Sequence, residues 1–283
     1  FNVGGTGEFT SADLDTLSVL GSGTQGFLGG SFLGLDTTNA SGGTFTYASN
    51  ITNTNAGVNS VGITKLGTGT LVLSGANTHT GVNTLSAGTL NLGVAEVVGT
   101  SGPLGKSAAA NAGNIVFGGG TLQYSAVNQN DYSGRFSTAA GQQYKVDTNG
   151  QNVTWATALT TSGGSLVKSG AGTLTLSANN TYTGSTTISG GTLKISGAGA
   201  YLYNGGYNNS DVITISTGGT LELDTWVYGA AGGTGQLSAY SARRVLNGGT
   251  INIVGSTQSS SCDFQVANGS SGTFNMATAG QTL

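Results

Sequence analysis

Side chains that could do chemistry are few in this chain and far apart. His79 is the only histidine, so a serine–histidine–aspartate triad would have to be built on it, and no nucleophile-elbow phrase supports one. Zinc sites made from several histidines are excluded by count. Carboxylates pair twice at i, i+2, as Asp13 with Asp15 and Glu222 with Asp224. On a strand, that spacing puts both members on one face. A glycosidase needs two carboxyl groups across a cleft, one of them kept protonated. The sequence shows neither condition, so both pairs are read as outward, solvated acids. Asp147-Thr-Asn-Gly150 has oxygens for half a calcium loop but the composition of a turn. Cys262 is the single cysteine; it cannot form an internal disulfide and is read as a small buried hydrophobe. No catalytic residues, metal ligands or cofactor motif are assigned.

The binding candidates are aromatic. Tyr201, Tyr203 and Tyr207 cluster in Tyr201-Leu-Tyr203-Asn-Gly-Gly-Tyr207, with Trp226, Tyr228 and Tyr240 downstream. Exposed rings stack on sugars or pack against a partner. This segment departs from the regular pattern of the chain, so it is expected to project as a loop and to carry specificity.

The elements that must position these residues are read from an internal repeat. A phrase of Gly, Thr or Ser, and a large apolar residue recurs, as in Gly69-Thr70-Leu71, Gly88-Thr89-Leu90, Gly172-Thr173-Leu174 and Gly191-Thr192-Leu193. Each phrase opens an alternation such as Leu174-Thr175-Leu176 or Leu221-Glu222-Leu223, with apolar residues at i and i+2. Period-2 alternation marks a strand with one buried face. Lys194, Glu222 and Asn252 fall on the outward face. A longer unit repeats without a gap at a shift of 103, Lys65 to Lys168 and Asn77 to Asn180, from Ile63 onward to Leu90 and Leu193. Upstream the shift is 77, Thr44 to Thr121, so the second block is 26 residues longer, about one solenoid coil. His79 becomes Tyr182 in the second copy. At a corner expected to be exposed, that exchange reads as an outward surface residue. Asn77 and Asn180 are expected to turn inward at equivalent corners and hydrogen-bond to turn backbone.

Strands this short are stable only when stacked. Coils of roughly 20–30 residues give about 10–12 coils in one solenoid over 1–283. Regular blocks cover about 41–93 and 118–197, with less regular ends at 1–40 and 198–283. Helical signals are weak; Ser107-Ala-Ala-Ala-Asn-Ala112 is too short for more than a turn. Both ends lack charged caps, which suits a fragment of a longer array or a subunit that stacks end to end through its strand edges.

Composition agrees and removes several function classes. The 283 residues include 52 Gly and one Pro, and only 7% are charged, against about 25% in an ordinary domain. Net charge is −3, with eight Lys and Arg and no basic stripe, which argues against nucleic-acid binding. No apolar run approaches the roughly 18 residues of a membrane span. The chain starts at Phe1 without a leader-type segment, so either a leader was removed or the chain is a piece of something longer.

Lys168-Ser-Gly-Ala-Gly-Thr-Leu-Thr-Leu-Ser-Ala-Asn-Asn-Thr-Tyr-Thr-Gly-Ser-Thr-Thr-Ile-Ser-Gly-Gly-Thr-Leu193 resembles the autotransporter-associated β-strand repeat, and Lys65–Leu90 resembles it nearly as well. Asp147–Leu159 is similar to segments between such repeats in bacterial surface proteins. The resemblance covers 61–93 and 163–197, more loosely 100–195. It implies an all-β, right-handed parallel β-helix, secreted or displayed on the outer surface of a bacterium. It implies no activity. An intact member ends in a β-barrel that is not seen here. The expected function is an extracellular structural or adhesive β-solenoid, not an enzyme, with self-association through open ends and surface glycans as partners. The alternative is a β-helix that binds or degrades polysaccharide.

Overall fold

The computed structural model describes residues 1–19, 27–106, 113–197, 200–202, 212–224, 226–227, 243–254, 257–258, 264–266 and 269–276. The chain forms two compact units, one of residues 1–130 with 134–137, the other of 131–133 with 138–283. Each is a parallel β-helix in which successive coils add one strand to each of two sheets.

In the first unit, Ser31–Asp36, Val61–Leu66, Asn83–Leu85 and Ile115–Phe117 pair in parallel as one sheet. Thr44–Tyr47, Thr70–Leu73, Thr89–Leu92 and Thr121–Gln123 form the other. The register aligns the Gly-Thr-Leu phrases: Phe45, Leu71, Leu90 and Leu122 stack inward, while Thr44, Thr70, Thr89 and Thr121 stack beside them on the outer face. All four inward side chains are buried. Burying a Leu or Phe contributes about 1.5–3 kcal/mol, so the ladders are the main stabilising element of a chain with few other contacts to offer.

The second unit repeats this plan. Gln143–Asp147, Ser165–Ser169, Thr186–Ile188, Val212–Ser216, Arg243–Asn247 and Phe264–Val266 follow one another in one sheet. Asn152–Trp155, Thr173–Leu176, Gly191–Ile195, Gly219–Leu223, Thr250–Ile253 and Thr273–Met276 make the other. Val153, Leu174, Leu193, Leu221 and Ile251 form a continuous buried rank. The described residues thus hold four coils in the first unit and six in the second.

The first coil departs from the sequence expectation. Thr10 caps a helix, α1 (Ser11–Val19): its backbone N–H donates to Asp13 Oδ2 at 2.8 Å and its hydroxyl donates to the same atom at 2.7 Å. These bonds hold the Asp13 carboxyl below its ordinary range. Asp13 and Asp15 therefore sit on a helix, not on one face of a strand. Leu14 is buried and shares an apolar hollow with Leu33, Tyr47, Ile51 and Val61, and Tyr47 donates to Asp15 Oδ1 at 2.8 Å. The edge of Ser31–Asp36 is also engaged: Val3 N–H donates to Asp36 O at 2.9 Å and Asp36 N–H to Phe1 O at 2.8 Å. The expected bare edge at the first coil is thus covered by the chain's own first residues. The Phe1 ammonium takes part, donating to Gly34 O at 2.7 Å.

Candidate functional site

The two asparagine corners are built alike. Asn77 Oδ1 accepts from Ile51 N–H at 2.8 Å, and Asn180 Oδ1 accepts from Leu159 N–H at 3.0 Å. Both donors lie one coil back, and both side chains are about 1% exposed. The amide nitrogens diverge. Asn180 Nδ2 donates locally to Ala178 O at 2.7 Å, whereas Asn77 Nδ2 donates to Pro103 O at 2.8 Å, one coil forward.

Pro103 belongs to a segment, 101–105, that is buried against this corner. Gly102 and Asn77 exchange backbone hydrogen bonds at 3.0 and 3.1 Å, and Lys106 N–H donates to His79 O at 3.0 Å. Asn83 Nδ2 donates to Leu104 O at 3.1 Å, and Arg135 Nη2 donates to the same oxygen at 2.6 Å. Arg135 Nε reaches Asn114 Oδ1 at 3.0 Å, with Glu96 3.8 Å from its Nη1.

His79 is inside this network, fully buried, and this corrects the reading of it as an outward residue. Its Nε2 lies 2.9 Å from Asn83 Oδ1. Burial pushes its imidazole down to about 4, with the Arg135 charge acting in the same direction. Tyr182, its counterpart, is also fully buried and bonds Thr186 Oγ1 at 2.5 Å. The corner turns its polar side chain inward because the partner four residues on, Asn83 or Thr186, is an interior residue. The paired change of residues 79 and 83 into 182 and 186 was the available signal.

The repeat lysines were missed altogether. Lys65 is in register with Leu35 and Leu85, and Lys168 with Val146 and Ile188, so both stand in the interior ladders. Neither is exposed. Lys65 Nζ donates to Leu66 O at 2.5 Å, Gly67 O at 2.8 Å and Ala87 O at 3.2 Å. Lys168 Nζ donates to Ser169 O at 2.9 Å, Gly170 O at 2.8 Å and Gly190 O at 3.0 Å. Burial pushes both ammonium groups down to about 8, against an opposing pull from Asp36 and Asp147.

The acidic pair near the end of the regular pattern is an ion triad. Glu222 lies 2.9 Å and Asp224 3.0 Å from Lys194 Nζ, which pairs in register with Glu222 one coil away. Asp224 also accepts from Ser196 Oγ. The two carboxylates raise the Lys194 ammonium above its ordinary value. Among the described residues, no group of three or more His, Cys, Asp or Glu is placed to hold a metal ion, and no helix is long and apolar enough to cross a membrane.

Of the aromatic candidates, Tyr201 and Trp226 lie on strand backbone. Tyr201–Leu202 pairs in parallel with Asn179–Asn180, and Trp226–Val227 pairs with Thr257–Gln258. At these two positions the expected projecting loop is replaced by short strands that continue the stacking. Tyr203, Tyr207, Tyr228, Tyr240 and Cys262 lie outside the described residues, as does 107–112.

Residues 63–92 and 166–195 each match the passenger-associated-transport-repeat family. The chain is also 32% identical over 270 residues to the adhesin BmaC autotransporter of Brucella suis biovar 1 (strain 1330). The chain is an autotransporter-associated repeat protein. That alignment takes in 94% of this chain but 7% of the relative, so the chain spans a small part of the relative's length. No solved structure matches the chain.

Each matched repeat is two coils deep. The first runs from the strand carrying Lys65 through Thr70–Leu73 and Asn83–Leu85 to the end of Thr89–Leu92. The second runs from the strand of Lys168 to the end of Gly191–Ile195. Asn77 and Asn180 sit midway, at the corner between the two coils.

Outside the repeats, three hairpins emerge from the connections that leave the Thr-Leu strands of the first unit. They close through the bridges Thr54 with Asn59, Val97 with Ser101, and Ser125 with Asn128. Their tips expose Val58, Val98 and Val127 at 77, 74 and 60%. Sequence reading passed over them because isolated or paired valines in short polar and glycine-containing segments carry no periodicity.

Proposed function

We propose that the chain is a surface-exposed adhesive segment of a bacterial autotransporter passenger, with the coils as scaffold and the corner loops as contact surface. The observation that carries this reading is the alignment of nearly the whole chain with a stretch of an adhesin, together with two transport repeats in phase with the coils. The scaffold faces are ranks of Thr and Asn backed by closed aliphatic ladders. Side chains free to meet a partner are therefore those on connections, where binding residues concentrate on rigid scaffolds. An antibody against the purified chain is expected to label intact cells of the bacterium that encodes it. Labelling only after permeabilisation would remove the surface assignment.

The finer form of the proposal is self-association through a strand edge. The candidate edge is that of Phe264–Val266 and Thr273–Met276, the last strands of the two sheets among the described residues. Electron microscopy of the purified chain tests this, with fibres as the expected product and short monodisperse rods as the contrary one.

A second reading, glycan binding, is favoured by the placement of Tyr201 and Trp226 on short parallel strand pairs separate from the larger sheets. Tyr203 and Tyr207 belong to the same proposal. Binding on a sugar array that is lost in Tyr201→Ala and Trp226→Ala would support it. An array without signal would leave the adhesive reading with protein contacts.

A further inference from the structure

A lysine in an apolar ladder needs an explanation beyond packing, because an ammonium taken from water destabilises the fold unless fully partnered. Lys65 and Lys168 receive the same solution. An ammonium offers three donors, and each here meets three carbonyl oxygens between 2.5 and 3.2 Å. Two of the carbonyls belong to the turn that leaves the lysine's own strand. The third, on Ala87 or Gly190, belongs to the matching turn one coil later. The residue after the third carbonyl is glycine in both repeats, at φ +59 for Gly88 and +61 for Gly191. A Cβ there would lie 2.4 Å from Gly67 O and 2.7 Å from Lys65 Nζ, or 2.5 Å from Gly170 O and 2.8 Å from Lys168 Nζ. The glycine of the Gly-Thr-Leu phrase is thus part of the wall around the ammonium.

We propose that each repeat contains an ammonium-binding site, formed by three turn carbonyls of two successive coils and filled in cis by the repeat lysine, which locks the two coils together. The site selects a primary ammonium, since a neutral isostere supplies fewer donors and a quaternary cation supplies none. It also accounts for the length of the repeat. A single coil would need only about 20 residues. The lysine near the start of the matched stretch and the third carbonyl in its second half make two coils the smallest stretch that contains the whole site.

Chemical rescue tests this directly. Lys65→Met keeps the stem and removes the charge; it is expected to lower Tm by roughly 6–12 °C. Lys65→Ala removes the atoms of n-propylammonium. Added n-propylammonium is expected to raise the Tm of Lys65→Ala, or to restore its folded circular-dichroism signal, well beyond its effect on the wild type. Propan-1-ol and tetramethylammonium at the same concentration are expected not to. The same pattern is expected for Lys168→Ala. A Lys65→Met protein as stable as the wild type, or equal responses to propylammonium and propanol, or no response to propylammonium, would overturn the proposal.

Discussion

His79 and Tyr182 occupy the same corner of the two repeats, both fully buried, and each is hydrogen-bonded to the side chain four residues on. One corner therefore contains a titratable group and the other a phenol that stays neutral across the same range. The difference falls where segment 101–105 is strapped to the first unit, so it bears on how that strap responds to acid.

The His79 imidazole titrates near 4 in the folded chain, against 6.5 ordinarily. Between those values the unfolded chain binds the proton and the folded chain does not. Stability from this group is therefore fully present above pH 6.5 and is lost as pH falls through 4, by about 3 kcal/mol. The double variant His79→Tyr with Asn83→Thr, which copies the second repeat, is expected to flatten this part of the profile. Urea unfolding at pH 7.5, 5.5 and 4 checks it; parallel profiles for the two proteins would refute the assignment.

Asn77 bridges both neighbouring coils, whereas Asn180 reaches back one coil and otherwise bonds its own turn. Asn77→Ala orphans Ile51 N–H and Pro103 O and is expected to cost about 2–4 kcal/mol. Asn180→Ala is expected to cost less, about 1–3 kcal/mol. Paired denaturant curves decide the order.

Gly88→Ala places a methyl group against Gly67 O and Gly69 O, both 2.4 Å from its Cβ, at a backbone conformation that L residues rarely adopt. Gly191→Ala does the same to Gly170 O and Gly172 O. Both are expected to destabilise by at least about 2 kcal/mol. Thermal unfolding of the two variants provides the measurement.

Lys194 carries two ion pairs, yet its side chain is 29% exposed and those of Glu222 and Asp224 are 24% and 32% exposed. Water screens such groups, so Lys194→Ala is expected to cost no more than about 1 kcal/mol, and less at high salt. Stability at low and high ionic strength compares this triad with the buried Lys65.

The stacking was legible in the sequence because one backbone plan is used repeatedly. Aligned Gly-Thr-Leu phrases give aligned strands, and a gapless shift of 103 gives superimposable corners. Lys65 and Lys168 were legible in principle, since each lies two residues after an inward Ile63 or Leu166 and so shares its face. They served only to mark the shift of 103, and the face that the period gives them was not followed. His79 misled because a corner was expected to be exposed and the exchange with Tyr182 was read as an outward one, while the change at residue 83 pointed to an interior partner. α1 was hidden by the glycine-rich average, although Thr10-Ser-Ala-Asp13 is a helix-start phrase within a stretch free of glycine from Glu8 to Leu20. The hairpin valines had no signal, because an exposed loop tip is constrained by what it meets and not by the fold that carries it.

The adhesive surface proposed for these coils is tested by displaying the chain on a non-adherent bacterium and counting cells bound to a host-cell monolayer. The chain is expected to raise adherence several-fold over the empty display system. The triple variant Val58→Ser, Val98→Ser, Val127→Ser, which leaves the interior ladders intact, is expected to lose part of that gain. Adherence equal to the empty system, with surface exposure of the chain shown by antibody, would contradict the account.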